Sequence, residues 1–396
     1  MPLARLREVP WDALRADLAV PAIRRVLAGE AAEREVDRTL RAGRDLAREE
    51  RAALVEAIFG VALWRRRLVW HAGDSEIPVI LLACLLRHLA GLDESRALAL
   101  TGLPAAKKNN YFFFGSRSGE PGRLADRWSL PDWLETTLER ELGAQAEAFC
   151  AAVAVPGPVC VRANRLRCTR VELADRLARD GIETRPARRA PDGLVVTTPR
   201  PNLLGSNCWR DGWFEPQDEG SQLVGLLVAP RPGEAVLDLC AGAGGKSLLL
   251  AAEGRKVYAY DPDAERLDRL KARAARAGAE IEIGPPRDAD CVLVDAPCSD
   301  LGTLRRGPDA RWRIDPAGFP RLEALQREIL ETAARHARRR LVYATCTLRR
   351  EENEEVAAPF EAAHPEFTRA GPPLKLLPHL DGTDGFFAIA WERRGP

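Results

Sequence analysis

Residues 235–247 read AVLDLCAGAGGKS, an apolar strand that runs into a glycine-rich turn and the start of a helix. Such a turn brings backbone amides at a helix N-terminus against a charged ligand. The lysine and serine do not complete a Walker loop, because Cys240 stands where that loop needs its first glycine. A dinucleotide fingerprint is also incomplete, because Ser247 stands where a third glycine or alanine is expected. The loop predicts a nucleotide-like ligand and leaves NAD and S-adenosylmethionine both open.

Strands and helices alternate around this loop over residues 215–396. Apolar, β-branched strands in that rhythm are typical of a doubly wound, largely parallel, Rossmann-like α/β sheet. Residues 127–214 predict a small α/β domain, and residues 1–126 predict an all-helical domain with apolar residues at spacings of three and four. In open α/β sheets, ligands bind beyond the carboxyl ends of the strands. The candidate site is therefore expected at that edge of the last domain.

Composition and charge exclude several classes of protein. The 396 residues are 46% hydrophobic, enough for folded cores, and 59 lysines and arginines against 58 acidic residues exclude a histone-like polycation. The longest apolar run, residues 77–86, is half of what a membrane span needs, and the N-terminus lacks the pattern of a signal peptide. Nine cysteines without a C-x-x-C spacing predict reduced thiols and no metal site. We expect a soluble, cytoplasmic protein whose surface for nucleic acid is a local patch.

Two aspartates flank the glycine loop. Asp261, nineteen residues after Gly242 and at the end of the second strand, is placed to accept hydrogen bonds from ribose hydroxyls. It could equally cap the helix that follows. Asp238 lies inside the first strand, where a carboxylate needs a charged or donor partner.

A pair of cysteines indicates the chemistry. Residues 294–313 read VDAPCSDLGTLRRGPDARWR and residues 343–355 read YATCTLRREENEE, so Cys298 and Cys346 each follow the carboxyl end of a strand. A lone cysteine there would be interpreted as a small core residue. Two of them, each followed by a hydroxyl residue, favour reactive thiols facing the same crevice. The EENEE run could be a solvated helix N-terminus.

These motifs, in this order, resemble those of a known family. The segments GWFEPQDEGSQL, LDLCAGAGGK, VDAPCSDLGTLRR, PDARWR, YATCT, EENEE and DGTDGFF are similar to those of S-adenosylmethionine-dependent RNA cytosine-5 methyltransferases, in particular the bacterial Sun/Fmu-type (RsmB-like) ribosomal RNA enzymes. The resemblance covers the chain from about residue 158 to the end. The N-terminal helical region is similar to the family's NusB-like RNA-binding domain. The resemblance implies a methyltransferase with S-adenosylmethionine as cofactor and RNA as partner.

The resemblance also implies catalytic roles. Cys346 would be the nucleophile that adds to carbon 6 of cytosine, because carbon 5 is too poor a nucleophile to take a methyl group directly. Cys298 would assist product release, although DNA enzymes use the cysteine of the PC motif as nucleophile, so the inverse assignment stays open. Asp295 would hold the ring edge of the base. Lys246 would lie near cofactor and base, with a solvated lysine at a helix start as the alternative.

Cofactor and RNA contacts are expected from the same motifs. The expected cofactor-binding residues are Cys240, Ala241, Gly242, Ala243, Gly244, Gly245, Lys246, Asp261, Asp288 and Asp295. Asp288 is the candidate for the acidic residue that contacts the adenine of the cofactor in the family. The arginines expected to bind RNA phosphates are Arg305, Arg306, Arg311 and Arg313, with surface salt bridges as the alternative. The aromatic and basic residues between 105 and 127 suit base stacking, or packing beneath a loop.

Two departures from the family pattern stand out. Asp300 occupies a position that is usually glycine, and the segment over residues 284–290 is shorter than usual. With these exceptions, the sequence predicts methyl transfer to carbon 5 of a cytosine in RNA through a covalent cysteine adduct. Ribosomal RNA is the expected substrate and transfer RNA the alternative. A catalytically weak RNA-binding or ribosome-assembly factor and an NAD-dependent oxidoreductase are the competing hypotheses.

Overall fold

The computed structural model describes residues 4–104, 117, 119–199 and 201–394 of the chain. The residues predicted to stack on bases, Tyr111 to Phe114, lie outside the described part of the chain. Within that part, no helix has the length and apolar content that crossing a membrane requires.

The chain forms two compact units whose boundaries differ from the predicted ones. The first unit comprises Met1–Pro156 and Leu304–Pro316, and the second comprises Gly157–Thr303 and Ala317–Pro396. The boundary predicted after residue 126 falls inside the first unit, because the helices between residues 124 and 153 pack with the helical region that precedes them. The division into three domains, over residues 1–126, 127–214 and 215–396, stays a prediction.

The first unit is helical. Its α-helices in Met1–Pro156 are α1 (Ala4–Arg7), α2 (Ala16–Leu27), α3 (Ala32–Ala42), α4 (Arg48–His71), α5 (Pro78–Cys84), α6 (Glu94–Thr101), α7 (Leu124–Trp128), α8 (Asp132–Leu142) and α9 (Ala146–Val153). A π-helical turn over Leu85–Leu89 continues α5. Leu54, Ile58 and Leu68 of α4 are fully buried in one core with Leu81. The apolar spacing of three and four residues is the cause of this burial.

The second unit begins with a small antiparallel sheet. Its strands are β1 (Cys160–Ala163), β2 (Thr184–Pro186), β3 (Gly193–Val196) and β4 (Phe214–Pro216), in the order β2-β3-β1-β4. Helices α10 (Arg170–Arg179) and α11 (Asn207–Arg210) accompany them. Val161, Leu173 and Phe214 fill their common core. The sequence predicts β1, α10 and β3, but not the three-residue strands β2 and β4.

The large sheet is the predicted Rossmann-like sheet. The remaining elements are α12 (Glu219–Leu226), β5 (Ala235–Asp238), α13 (Gly245–Ala252), β6 (Lys256–Ala259), α14 (Ala264–Ala277), β7 (Ile281–Ile283), β8 (Ala289–Asp295), α15 (Ala310–Arg313), α16 (Phe319–His336), β9 (Ala337–Thr345), α17 (Glu354–Ala363), β10 (Phe367–Arg369), β11 (Leu374–Leu376), α18 (Pro378–Asp381) and β12 (Phe386–Arg393). The sheet order is β10-β12-β9-β8-β5-β6-β7, and β11 pairs with β12. Strands β5 to β9 are parallel, whereas β12 is antiparallel to β9.

Strands β10, β11 and β12 were not predicted from the sequence. Phe387, Ile389 and Trp391 of β12 enter the core on one face of the sheet. Phe386 and Ala388 enter the core on the other face. Because both faces of β12 are covered, its first six residues are continuously apolar and show no alternation that would distinguish a strand from a buried helix.

Residues 304–316 lie between β8 and β9 in sequence but belong to the first unit. Asp309 accepts a hydrogen bond from the amide of Ala32 at the start of α3 (3.2 Å). Arg311 donates to the Trp128 carbonyl (3.2 Å) and is buried, which lowers its pKa to about 10. The prediction that Arg311 binds RNA phosphates is therefore wrong, because its guanidinium lies inside the helical unit.

A kink in α4 creates the binding point for this segment. Trp64 leaves helical geometry (φ −96°, ψ 16°), which separates the Arg66 amide from the Ala62 carbonyl, its usual partner four residues back. The Arg66 amide donates instead to Ser129 Oγ (2.8 Å). The Ala62 carbonyl accepts a hydrogen bond from Trp312 Nε1 (2.9 Å). Both groups freed by the kink are thus satisfied from other parts of the unit.

Replacing Trp312 tests this arrangement. Trp312→Phe leaves the carbonyl of buried Ala62 without its donor, so we expect the first unit to lose about 1–3 kcal/mol of unfolding free energy in urea denaturation. Trp128→Phe is the matched control, because its indole donates to the exposed Glu147 carboxylate (2.6 Å), which water can hydrate after the change. Equal losses in the two variants would contradict a specific role for the Trp312 hydrogen bond.

Candidate active site

Three strand ends meet at one edge of the large sheet. Asp238 of β5 lies opposite Leu293 of β8, and Asp295 of β8 lies opposite Ala344 of β9. Because these strands are parallel, the glycine loop after β5 and the segments after β8 and β9 leave the sheet on the same side. The cysteine motifs and the glycine loop therefore leave the same edge of the sheet, where the sequence predicts the ligand crevice.

Two glycines in the left-handed region shape the loop between β5 and α13. Gly242 has φ +53° and Gly244 has φ +83°. A Cβ on Gly244 would lie 2.6 Å from the side chain of Leu270, whereas a Cβ on Gly242 would meet no described atom within 4 Å. The loop thus packs tightly at Gly244 and presents bare backbone to open space at Gly242, as a ligand cradle requires.

Asp261 braces this loop. Its Oδ2 accepts a hydrogen bond from the Gly242 amide (2.9 Å) and its Oδ1 accepts one from the Asp263 amide (2.9 Å). Helix α14 is capped by Asp263, which accepts from the amides of Glu265 and Arg266. The interpretation of Asp261 as the helix cap is therefore wrong.

Asp238 is a buried carboxylate with one oxygen unused by the protein. Its Oδ2 accepts a hydrogen bond from Ser247 Oγ (2.6 Å), and its Oδ1 has no partner among the described residues. Burial raises the pKa of Asp238 to about 6, although the hydrogen bond of Ser247 acts against this. A buried acceptor without a donor suits an N–H or O–H group of a ligand.

Lys246 and Asp295 form an ion pair within the crevice. Lys246 Nζ lies 2.7 Å from Asp295 Oδ2, and the lysine is only 7% exposed. Burial lowers the pKa of Lys246, but the charge and hydrogen bond of Asp295 outweigh it and leave the pKa raised. The alternative of a solvated lysine is therefore wrong. The pair joins the helix after the glycine loop to the end of β8.

The two thiols are in contact. Cys298 Sγ lies 3.2 Å from Cys346 Sγ, and the Cys346 amide donates to Cys298 Sγ (3.2 Å). Asp300 Oδ1 lies 2.8 Å from Cys346 Sγ and 3.5 Å from Cys298 Sγ. Two sulfur atoms and one carboxylate therefore converge where the segments after β8 and β9 meet.

This surrounding keeps both thiols protonated. The contact with Cys298, burial and the charge of Asp300 raise the pKa of Cys346 well above its ordinary value. The hydrogen bond with Cys346 lowers the pKa of Cys298, but burial and Asp300 raise it further, so its pKa is also elevated. A thiol held in this way needs a proton acceptor before it can attack as a thiolate.

Sequence reasoning missed the residues that hold the two cysteine segments together. Glu352 is fully buried and accepts hydrogen bonds from the Ser299 amide and hydroxyl (2.9 and 2.5 Å) and from Gln326 Nε2 (2.9 Å). Asn353 accepts from Thr345 Oγ1 (2.5 Å). The interpretation of EENEE as a solvated helix start is wrong for these two residues. Their position a few residues after YATCT was the available signal.

Backbone hydrogen bonds of Gly302 and Gly385 also hold the cysteine segments together. The Gly302 amide donates to the Cys346 carbonyl (2.9 Å), and the Gly385 amide donates to the Gly302 carbonyl (2.9 Å). A Cβ on Gly302 would lie 2.3 Å from the Gly385 carbonyl oxygen. The segments after β8 and β9 and the start of β12 therefore meet at a distance that only glycine allows.

One predicted cofactor contact lies elsewhere. Asp288 precedes β8, at the amino end of the strand, and its carboxylate contacts His336 Nδ1 (3.0 Å). Seven residues of strand place it about 23 Å from the site edge. The predicted contact of Asp288 with the adenine is therefore wrong.

The remaining predicted arginines follow the Cys298 motif along the chain. Arg305 and Arg306 end the 3₁₀ turn over Leu301–Arg306, and Arg306 is exposed. Arg313 is exposed and pairs with Asp309 (2.7 Å). Their contact with RNA phosphates stays a prediction.

Comparison with known proteins identifies the family of the chain. A family model described as 16S rRNA methyltransferase RsmB/F matches residues 225–391, and one described as the ferredoxin-like domain of RsmF/B-like methyltransferases matches residues 130–202. A probable ribosomal RNA small subunit methyltransferase B from Synechocystis is 31% identical over 339 residues, which cover 75% of this chain and 76% of the relative. Its counterpart from Bacillus subtilis is 33% identical over 308 residues, covering 69% of this chain and 68% of the relative.

The chain belongs to the RsmB/F family of rRNA methyltransferases. This membership confirms the resemblance seen in the sequence, the methyltransferase activity and S-adenosylmethionine as the cofactor. The NAD-dependent oxidoreductase hypothesis is thereby excluded.

Solved structures share the fold of this RsmB/F methyltransferase. The crystal structure of PH0851 matches it with a TM-score of 0.76 at 24% identity, over 97% of this chain and 99% of that chain. The structure of NSun6 from Pyrococcus horikoshii with SFG matches with a TM-score of 0.60 at 19% identity, over 67% of this chain and 99% of that chain. The predicted Rossmann-like α/β class is confirmed.

Asp238→Asn tests whether burial disfavours the charged form of the Asp238 carboxylate. Because the pKa of Asp238 in the folded protein exceeds its unfolded value of 3.8, the native state of the wild type loses stability as pH rises from about 4 through about 6. The asparagine keeps the Ser247 contact without the charge. Relative to the wild type, the variant should therefore gain up to about 3 kcal/mol of unfolding free energy between pH 4 and pH 7.

Urea denaturation across this pH range measures that gain. Asp268→Asn, which removes an exposed carboxylate on α14, is the control and should show no comparable trend. A difference between Asp238→Asn and wild type that is constant across the range would show that the carboxylate is not disfavoured by burial.

Gly302→Ala tests the close approach of the three segments. The added Cβ would press on the carbonyls of Gly385 and Cys346, at 2.3 and 2.8 Å, so the backbones must separate. We expect a loss of about 1–3 kcal/mol in unfolding free energy, as for other overpacked sites. In Gly318→Ala, the control, the new Cβ meets no described atom within 4 Å and stability should hold. If both variants unfold alike, the close packing at Gly302 is not a constraint.

Proposed function

We propose that this RsmB/F-family protein transfers a methyl group from S-adenosylmethionine to carbon 5 of a cytosine in RNA, through a covalent adduct with Cys346. Ribosomal RNA is the proposed substrate, in keeping with the names of the relatives. The observation that carries the proposal is the contact of two thiols, 3.2 Å apart, beside the Lys246–Asp295 pair. Cytosine carbon 5 gains nucleophilic character only after a nucleophile adds to carbon 6, which gives a cysteine at this place a chemical task.

The residues of the crevice fit the cofactor. The backbone at Gly242 faces open space, Asp261 is held beside it, and Asp238 carries a buried oxygen without a donor. These acceptors and amides suit the ribose hydroxyls, ammonium and carboxylate of S-adenosylmethionine, so the loop over residues 240–246 with Asp238 and Asp261 would hold it. When bound, the cofactor supplies the electrophilic methyl group.

Asp295 and Lys246 would orient the base. Asp295 is a third exposed, so one side of its carboxylate is open to a ligand while the other is bound to Lys246. A carboxylate fixed in this way can accept a hydrogen bond from the amino edge of cytosine. The lysine, held by the ion pair, keeps that carboxylate in one orientation. The target base must leave any stack to reach it.

Cys298 would act after methyl transfer. Its sulfur lies against Cys346 Sγ, so it touches the atom that must leave carbon 6 at the end of the reaction. A protonated thiol at that distance can hydrogen-bond to the departing sulfur. The inverse assignment, with Cys298 as nucleophile, uses the same contact, so variants must distinguish the two.

Three arginines that follow the Cys298 motif along the chain are the proposed RNA contacts. Arg305, Arg306 and Arg313 follow the Cys298 motif and would bind phosphates, which position an RNA without reading its sequence. We also propose that the helical first unit contributes to RNA binding.

Single-cysteine variants test the two roles. Radiolabelled methyl transfer to unmodified ribosomal RNA and transfer RNA should fall to background in Cys346→Ala, because no adduct forms. In Cys298→Ala, a protein–RNA adduct that survives a denaturing gel should accumulate, because release is slowed. Cys208→Ala, which removes a buried thiol of α11 in the core beside the small antiparallel sheet, is the matched control and should transfer methyl as the wild type does.

Other outcomes have distinct meanings. An adduct trapped in Cys346→Ala would reverse the two cysteine roles. Methylation of transfer RNA alone would change the substrate class. Intact RNA binding without any methyl transfer by the wild type would replace the proposal with the assembly-factor hypothesis.

A further inference from the structure

Asp300 lies at the centre of the thiol pair, yet the reaction outlined above gives it no task. Its Oδ1 contacts Cys346 Sγ at 2.8 Å and Cys298 Sγ at 3.5 Å. The residue is otherwise exposed. A carboxylate offers only acceptors, so each of these contacts places a thiol proton between sulfur and oxygen.

The backbone directs this carboxylate toward the thiols. Asp300 has φ +58°, a left-handed conformation that glycine adopts freely, that asparagine and aspartate adopt at a moderate cost, and that other residues adopt rarely. Thr303 closes the turn, since its amide and its hydroxyl both donate to the Asp300 carbonyl (2.9 and 3.0 Å). Strained positions of this kind occur at functional sites, where the surroundings fix the conformation.

The proposed nucleophile, Cys346, must lose its thiol proton before or during its attack. The pKa of Cys346 is well above its ordinary value, so the thiol carries its proton at neutral pH. Addition of sulfur to carbon 6 requires that proton to leave. Among the described residues, Asp300 is the carboxylate in hydrogen-bond contact with Cys346 Sγ.

We propose that Asp300 is a catalytic base that accepts the proton of Cys346 as the cysteine sulfur adds to carbon 6 of the target cytosine. This proposal rests on the proposed function. The 2.8 Å contact lets proton transfer and S–C bond formation occur together. The charge of Asp300 then has two opposite effects. It disfavours a free thiolate in the resting protein, and it takes up the thiol proton when the target cytosine is bound. The nucleophile is thereby active only against bound substrate.

The steps balance in protons and electrons. The S–H bond breaks, its proton goes to Asp300, the S–C6 bond forms, and the electron pair of the C5–C6 double bond becomes available at carbon 5. After carbon 5 has taken the methyl group, it loses its own proton to water. The C5–C6 double bond then re-forms and sulfur leaves with the pair of the S–C6 bond. Asp300 returns its proton to that sulfur, and one proton is released overall.

Other charged and titratable groups act on the same thiols. Cys298 and Asp300 act directly on Cys346, and Lys246 interacts with it electrostatically from α13. Glu352 from the turn before α17 acts on Cys298. A substitution at Asp300 leaves Lys246 and Glu352 in place and removes the effect of its charge on both thiols, so the pH profile must be interpreted together with the formate response described below.

Asp300→Asn and Asp300→Gly test the proposal. Both residues tolerate φ near +58°, so both variants should fold, which thermal unfolding checks. With saturating S-adenosylmethionine and ribosomal RNA, we expect the single-turnover methylation rate at pH 7 to fall on the order of 100-fold. The rate of both variants should then rise steeply with pH, because only preformed thiolate attacks. Asp268→Asn, the exposed-carboxylate control, should match the wild type.

Added formate separates a base from a structural role. In Asp300→Gly, the missing side chain leaves room for a small carboxylate, so formate should restore part of the rate, while Asp300→Asn should not respond. Rates at or above wild type at pH 7 would overturn the proposal and show that the charge only suppresses the thiolate. A slow Asp300→Gly without pH slope or formate response would overturn it in favour of a structural role.

The test also distinguishes the underlying function. If the wild type transfers no methyl group, or if Cys346→Ala keeps full transfer, the proposed function fails and this inference fails with it. If the wild type is active and loses activity in Cys346→Ala, the behaviour of the Asp300 variants decides the inference alone.

Discussion

The parallel pairing of β5, β8 and β9 is the constraint on which the site depends. With Asp295 opposite Ala344, the motifs that follow these residues begin at the same level of the sheet. Cys298 and Cys346 then need only two or three residues of loop to meet. A slip in register would move every side chain of a strand to the other face and separate the thiols. The chemistry therefore rests on a backbone arrangement that the apolar strands specify.

Buried polar groups convert this arrangement into a rigid one. Glu352 receives donors from the segment after β8 and from α16, while its own segment follows β9. Gly302 and Gly385 add backbone contacts that leave no room for a side chain. In a low-dielectric interior, such bonds are strong and an unmade one is costly, so the network holds a single geometry. The strained Asp300 is tolerated because this frame surrounds it.

Much of the fold and part of the site could be predicted from the sequence. Periodicity indicated the helical region and the parallel strands, and the spacing of Cys298 and Cys346 from strand ends placed both thiols at one edge. Strand β12 was missed because burial on both faces removes alternation from its sequence. Arg311 was misassigned because a single sequence does not distinguish an exposed arginine from a buried one. Asp288 was misassigned because position along the chain does not show at which end of a strand a residue lies in space.

The sequence by itself determined the class of protein, the parallel strands that carry the site and the reactive groups, since these follow from the local apolar pattern and from motifs placed at strand ends. Only the tertiary structure decided how those groups are used. It showed that Asp309, Arg311 and Trp312 join the helical unit, that Glu352 and Asn353 are internal braces, and that Asp300 touches the proposed nucleophile. The physical reason is that a hydrogen bond or a buried charge depends on distances between residues far apart in the chain, which local sequence pattern does not encode.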